Sequence, residues 1–136
     1  MKFLVDTNVI SELRKGRRAN AGVRAWFEAV DEEAVYLSVL VIGELRHGVE
    51  GLRRRDPPAA ATLDRWIHEL VESHAARVLP VDAEVADQWG RLNVPDPVAA
   101  VDGLLAATAL VHSMTLVTRN VRDVRRTGVR HLDPFA

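Results

Sequence analysis

The 136-residue chain contains no cysteine. That excludes a disulfide framework, a thiolate nucleophile and a thiolate metal site, and it fits a reducing cytoplasm. Nowhere do about 18 apolar residues follow one another, the length a membrane-spanning helix needs, so no membrane span is expected. Met1-Lys2 leads to Asp6 at once, which leaves no room for the apolar core of a secretory signal. Lysine is nearly missing too, with only Lys2 and Lys15. Phosphatase and receiver-type chemistries want an Asp-x-Asp motif or paired acids plus a late lysine, whereas Asp6 is followed by Thr7-Asn8. There is no Gly-x-Gly-x-x-Gly or P-loop sequence and no Gly-x-Ser-x-Gly elbow. The histidines His47, His68, His74, His112 and His131 show no His-x-x-x-His spacing, so zinc is not expected and they read as structural or surface residues.

What remains is an ordinary globular composition, 48% apolar and 27% charged, in a length that suits one domain over 1–136. The net charge of −1 conceals segregation. Basic residues cluster in Arg14-Lys15-Gly16-Arg17-Arg18, in Arg53-Arg54-Arg55 and between Arg119 and Arg130, while acids gather elsewhere, as in Asp31-Glu32-Glu33. Each basic run is either a solvated loop or helix end, or a local grip for phosphates.

Short apolar runs alternate with helical patterns. Strands are expected over 2–5, 34–37, 77–81, 115–118 and, weakly, 129–132. Helices are expected over 9–15, 21–30, 39–53, 57–75, 83–92 and 97–112, with a short turn near 121–126. Asp56-Pro57 and Asp96-Pro97 each place a capping carboxylate before proline at a first helical position, and Asn20, Ser38 and Asp82 are further caps. This alternation implies an α/β fold: a mostly parallel sheet of about five strands with helices on both faces. In such sheets the site lies beyond the carboxyl ends of the strands, where strand order reverses. Trp26, Trp66 and Trp89 fall in amphipathic helices and read as packing residues.

Most acids are accounted for as caps or solvated faces. Asp6, Glu44, Asp102 and the Asn120/Asp123 pair are not: Asp6 ends Phe3-Leu4-Val5, Glu44 interrupts Val39 to Leu45, and Asp102 lies a turn and a half inside its expected helix. Gly48, a poor helix former, is expected to allow close packing on the Glu44 side. Taken singly, each acid could be a core carboxylate paired with an arginine such as Arg46 or Arg119. Taken together they suggest one oxygen-rich pocket. Carboxylates held together repel, which raises at least one pKa unless a cation intervenes. Mg²⁺ or Mn²⁺ prefers such oxygen ligands, lowers the pKa of bound water and polarises a phosphoryl oxygen, with one ion or two.

Val5-Asp6-Thr7-Asn8-Val9-Ile10-Ser11-Glu12, then Gly43-Glu44-Leu45-Arg46-His47-Gly48, then Asp102-Gly103-Leu104-Leu105-Ala106-Ala107, then Val117-Thr118-Arg119-Asn120 with Asp123, resembles a PIN-domain nuclease. Within that family the chain is similar to the VapC-type ribonuclease toxins of toxin–antitoxin pairs, over nearly its whole length. The resemblance implies a metal-dependent RNase that binds Mg²⁺ or Mn²⁺ at the carboxyl edge of a parallel sheet. Asp6, Glu44 and Asp102 match the three most characteristic acids. Asp123 is the favoured fourth, with Asn120 the alternative there as oxygen donor or orienting group. Thr7, Asn8 and Thr118 would orient the carboxylates, and Arg14, Arg17, Arg18, Arg119, Arg122 and Arg125 would meet substrate phosphate. The resemblance further implies an RNA substrate, a cognate antitoxin that covers the groove and homodimerisation. The alternative reading is a catalytically silent PIN-like module that binds RNA or protein.

Overall fold

A computed structural model describes residues 1–136. Its elements are β1 (Phe3–Val5), α1 (Thr7–Leu13), α2 (Ala21–Ala29), β2 (Val35–Ser38), α3 (Val39–Arg53), α4 (Pro57–Ser73), β3 (Val78–Leu79), α5 (Ala83–Leu92), α6 (Ala100–Val111), β4 (Thr115–Val117), α7 (Val121–Val124) and β5 (His131–Leu132). All strand pairs are parallel, in the order β3-β2-β1-β4-β5.

That order decides where a site can form. From β1 the chain steps outward to β2 and β3, then returns to the other flank of β1 for β4 and β5. Right-handed crossovers then place α1 to α4 on one face and α5 and α6 on the other. The packing agrees: α1 meets α2 and α3, α3 meets α4, and α5 meets α6. The strand order reverses between β1 and β4, where Val5 pairs with Val117 and the next residues are Asp6 and Thr118.

Leu4, Val5, Leu37, Leu116 and Val117 are fully buried, as expected of strands covered on both faces. Val9, Ile10, Val41, Val49, Leu105 and Ala106 close the core from the helices. Trp26 packs edge-on against Phe3 with ring centroids 5.5 Å apart, in line with a packing role. No helix is long and apolar enough to cross a membrane.

The helix starts follow local hydrogen bonding. Asn20, Ser38, Asp56 and Asp82 cap α2, α3, α4 and α5, each accepting a backbone N–H of the first turn. Asp96-Pro97 does not start α6. Asn93 Oδ1 accepts the Val98 N–H at 3.0 Å and holds 93–98 as a loop, so the helix begins at Ala100 with no side-chain cap. Asp96 instead lies 3.6 Å from Arg126. Asp102 consequently sits in the first turn of α6, not a turn and a half inside, and α1 begins at Thr7 rather than Val9 because Asp6 caps it. A Cβ at Gly43 or Gly48 would meet no atom within 4 Å, so neither glycine serves close packing within the chain.

Candidate active site

The carboxyl edge at the β1/β4 junction opens into a cleft of about 560 Å³ lined by Asp6, Thr7, Asn8, Glu44, Ala99, Ala100, Val101, Asp102 and Asn120. Four elements contribute. Asp6 and Thr7 come from the cap and first residue of α1, Glu44 from the second turn of α3, Asp102 from the start of α6, and Asn120 from the segment after β4.

Asp6 is 5% exposed and is held from three directions. Its Oδ1 accepts the Thr7 N–H at 2.6 Å, while Oδ2 accepts the Thr118 hydroxyl at 2.8 Å and approaches Asn8 Nδ2 at 3.4 Å. Asp6 also has a structural use that Val5-Asp6-Thr7 does not announce: it caps α1, and the cap holds its carboxylate. Glu44 is exposed, and its Oε1 accepts the Thr7 hydroxyl at 2.5 Å. Thr7 and Thr118 thus donate to the carboxylates of Glu44 and Asp6, and Asn8 reaches Asp6.

No Lys, Arg or His lies within 4 Å of the carboxylates of Asp6, Glu44, Asp102 or Asp123. Arg46, the expected partner in a purely structural reading, is engaged by Asp64 at 2.7 Å and Glu50 at 3.3 Å. Burial is the main influence on Asp6 and raises its pKa; hydrogen bonds from Thr118 and Thr7 work against this, and the charges of Asp102 and Glu44 raise it further. Asp102 is also raised, first by burial and then by the charges of Asp123 and Glu44, against a hydrogen bond from Asn120. The cleft is therefore a pocket of like charge without an internal cation, the condition in which a bound cation gains most.

The donor set is carboxylate and amide oxygen throughout, and no histidine lines the cleft. This oxygen-only chemistry fits a hard divalent cation. As the side chains are placed, no three acids or histidines stand at single-ion spacing. Glu44 is exposed and Asp102 half-buried, whereas Asp6 is buried and held by three donors.

The outer residues divide. Asn120 lines the cleft; Asp123 does not, although its charge reaches Asp102. None of Arg14, Arg17, Arg18, Arg119, Arg122 and Arg125 lines it, and all are exposed. Ala99, Ala100 and Val101 were not foreseen as cleft residues. The signal for them was the run of small residues just before Asp102, masked by the assumption that the helix had already begun.

Residues 3–129 match the family described as PIN domain. The chain is 34% identical over 138 residues to Toxin FitB of Neisseria gonorrhoeae, covering 98% of each chain. It is 31% identical over 141 residues to VapC ribonuclease Y4jK of Sinorhizobium fredii, covering 98% of this chain and 97% of that one. Its structure superposes on the crystal structure of FitAcB from Neisseria gonorrhoeae with a TM-score of 0.89 at 33% identity, covering 97% of each chain.

Proposed function

The chain belongs to the PIN-domain family, and on that premise we propose that it is a divalent-metal-dependent endoribonuclease, the toxin of a toxin–antitoxin pair. The observation that carries this reading is the cleft at the strand-order reversal, which Asp6, Glu44 and Asp102 line with no cationic side chain among them. A silent binding module has no need of such charge, which costs stability unless something compensates it.

Asp6, Glu44 and Asp102 would hold Mg²⁺ or Mn²⁺, with Asp123 completing the set through water or Asn120 supplying its amide oxygen. An ion there would lower the pKa of a water molecule and stabilise charge on a phosphoryl oxygen. The protein's own contribution is positioning. Thr118 and the Thr7 N–H fix the Asp6 carboxylate, and the Thr7 hydroxyl fixes Glu44. The cleft is lined by no serine, cysteine or histidine, and its one side-chain hydroxyl, that of Thr7, is donated to Glu44. Hydrolysis therefore proceeds by in-line attack of water, without a covalent enzyme intermediate, and leaves a 5′-phosphate and a 3′-hydroxyl. The exposed Arg14, Arg17 and Arg122 are the phosphate contacts in this reading.

An unrestrained RNase would harm the cell that makes it, so a cognate antitoxin covers the cleft, and a basic side chain is the natural plug for so acidic a pocket. A homodimer with one antitoxin per protomer, acting in the cytoplasm, completes the reading. The test is to incubate purified, antitoxin-free protein with total RNA. Discrete new 5′-phosphate ends that need Mg²⁺ or Mn²⁺ and vanish with chelator are expected. Binding without cleavage would establish the silent module, and activity restored by zinc alone would require a different site.

A further inference from the structure

Residues 133–136 lie across the start of α2, and the approach is too close for any side chain at Gly22. A Cβ there would overlap the Pro134 carbonyl oxygen and come within 2.8 Å of Ala136. Asn20 grips the same segment in both directions: its Nδ2 donates to the Ala136 carbonyl at 3.2 Å, and its Oδ1 accepts the Ala136 N–H at 3.0 Å. The Asn20 backbone N–H is anchored in turn on Glu12 at 2.8 Å. Asp133 Oδ1 accepts the Phe135 N–H at 3.0 Å, a turn that presents the Phe135 ring to Arg119. The Arg119 guanidinium carbon lies 4.6 Å from the ring centroid.

Arg119 is the middle residue of the segment that holds the acids. Its backbone N–H donates to Asn8 Oδ1 at 3.2 Å, and the Asn8 amide reaches Asp6. On one side of it Thr118 donates to Asp6 and accepts the Asn120 N–H at 3.0 Å; on the other, Asn120 lies beside Asp102. We infer that residues 133–136 form a strap, clamped by Asn20 and Gly22, in which Phe135 holds Arg119 outside the cleft and so positions Thr118–Asn120 against Asp6 and Asp102. Arg119 and Phe135 are then positioning residues, and Arg119 is not the phosphate contact that the motif alone suggests. Why the acids need positioning rests on the nuclease reading; the strap itself does not.

The experiment compares the full chain with Phe135→Ala and Gly22→Ala. Amide hydrogen exchange reads the segment, and electron paramagnetic resonance of free Mn²⁺ reads the acids. Both substitutions are expected to speed exchange at the Arg119 and Asn120 amides roughly three- to tenfold, the range for losing a stacked cation and its local order. Thr115 and Leu116, whose amides are bonded in the sheet, keep their protection, and Mn²⁺ dissociation constants rise by a similar factor. If Phe135→Ala lowers protection throughout the core, Phe135→Leu, which keeps the bulk and removes only the ring, decides the matter. Unchanged exchange at Arg119 and Asn120, or faster exchange with unaltered Mn²⁺ affinity, overturns the inference. So does a salt dependence of RNA binding that flattens in Phe135→Ala, since that marks Arg119 as a phosphate contact. A wild-type protein that cuts no RNA would sink the nuclease reading and leave the exchange result to judge the strap alone.

Discussion

Asp6 combines two roles that usually fall to different residues. As the cap of α1 its carboxylate is immobilised, and as the buried wall of the cleft it brings charge to the strand-order reversal. The acids stood out in the sequence because Asp6, Glu44 and Asp102 each end or interrupt an apolar run. The cap on Asp6 was hidden, since nothing in Val5-Asp6-Thr7 says whether the carboxylate turns back onto its own backbone. The ambiguity between Asn120 and Asp123 was also visible in advance, and the cleft lining gives Asn120 the nearer place. Like charge has a consequence for stability. The pKa of Asp102 in the folded protein lies above its ordinary value of 3.8, so the native state binds the proton more readily than the unfolded chain. Its ionised form therefore opposes folding above the raised pKa, and that opposition fades as pH falls through it. In chelator at neutral pH, Asp102→Asn is expected to raise the melting temperature, since it removes the charge that burial and the neighbouring acids disfavour. The gain should shrink as the solution is acidified toward 3.8. A lower melting temperature at neutral pH would mean that the folded protein already compensates the charge.

Among the elements, α3 and α5 span the residues their patterns demand, because capping Ser38 and Asp82 stand directly before strong amphipathic runs. The start of α6 was misjudged for a physical reason. Asp-Pro is a sound start signal, yet Asn93 competes for the Val98 N–H and keeps 93–98 out of the helix. Two glycines then part company. Gly103 packs tightly, since a Cβ there would lie 3.1 Å from the Trp89 ring. Gly103→Ala is expected to cost about 1–3 kcal/mol in denaturant unfolding, as overpacking does, and to displace the first turn of α6 that carries Asp102. Gly48 faces open space in α3, so Gly48→Ala should stabilise the isolated chain by roughly 0.5–1 kcal/mol through the unfolded state. A loss of stability in Gly48→Ala that depends on protein concentration would instead place this face of α3 against a second copy.

For the molecule as a whole, the essential fact is topological. The strand order β3-β2-β1-β4-β5 brings Asp6 beside Thr118, 112 positions later in the chain, and α6 then delivers Asp102 to the same edge. Alternation of strands and helices made that convergence readable from the sequence. The position of the arginines was not readable, because long exposed side chains carry no pattern that says which way they turn. Nuclease function in this fold therefore requires the converged acids to act together. The most direct measurement is the cleavage rate of one susceptible RNA in saturating Mn²⁺ by wild-type protein, Asp6→Asn and Asp102→Asn, with circular dichroism showing each variant folded. Both variants are expected to lose more than about 100-fold, beyond what loss of a merely supporting group costs. Cleavage by both at near wild-type rates, persisting in chelator, would contradict it.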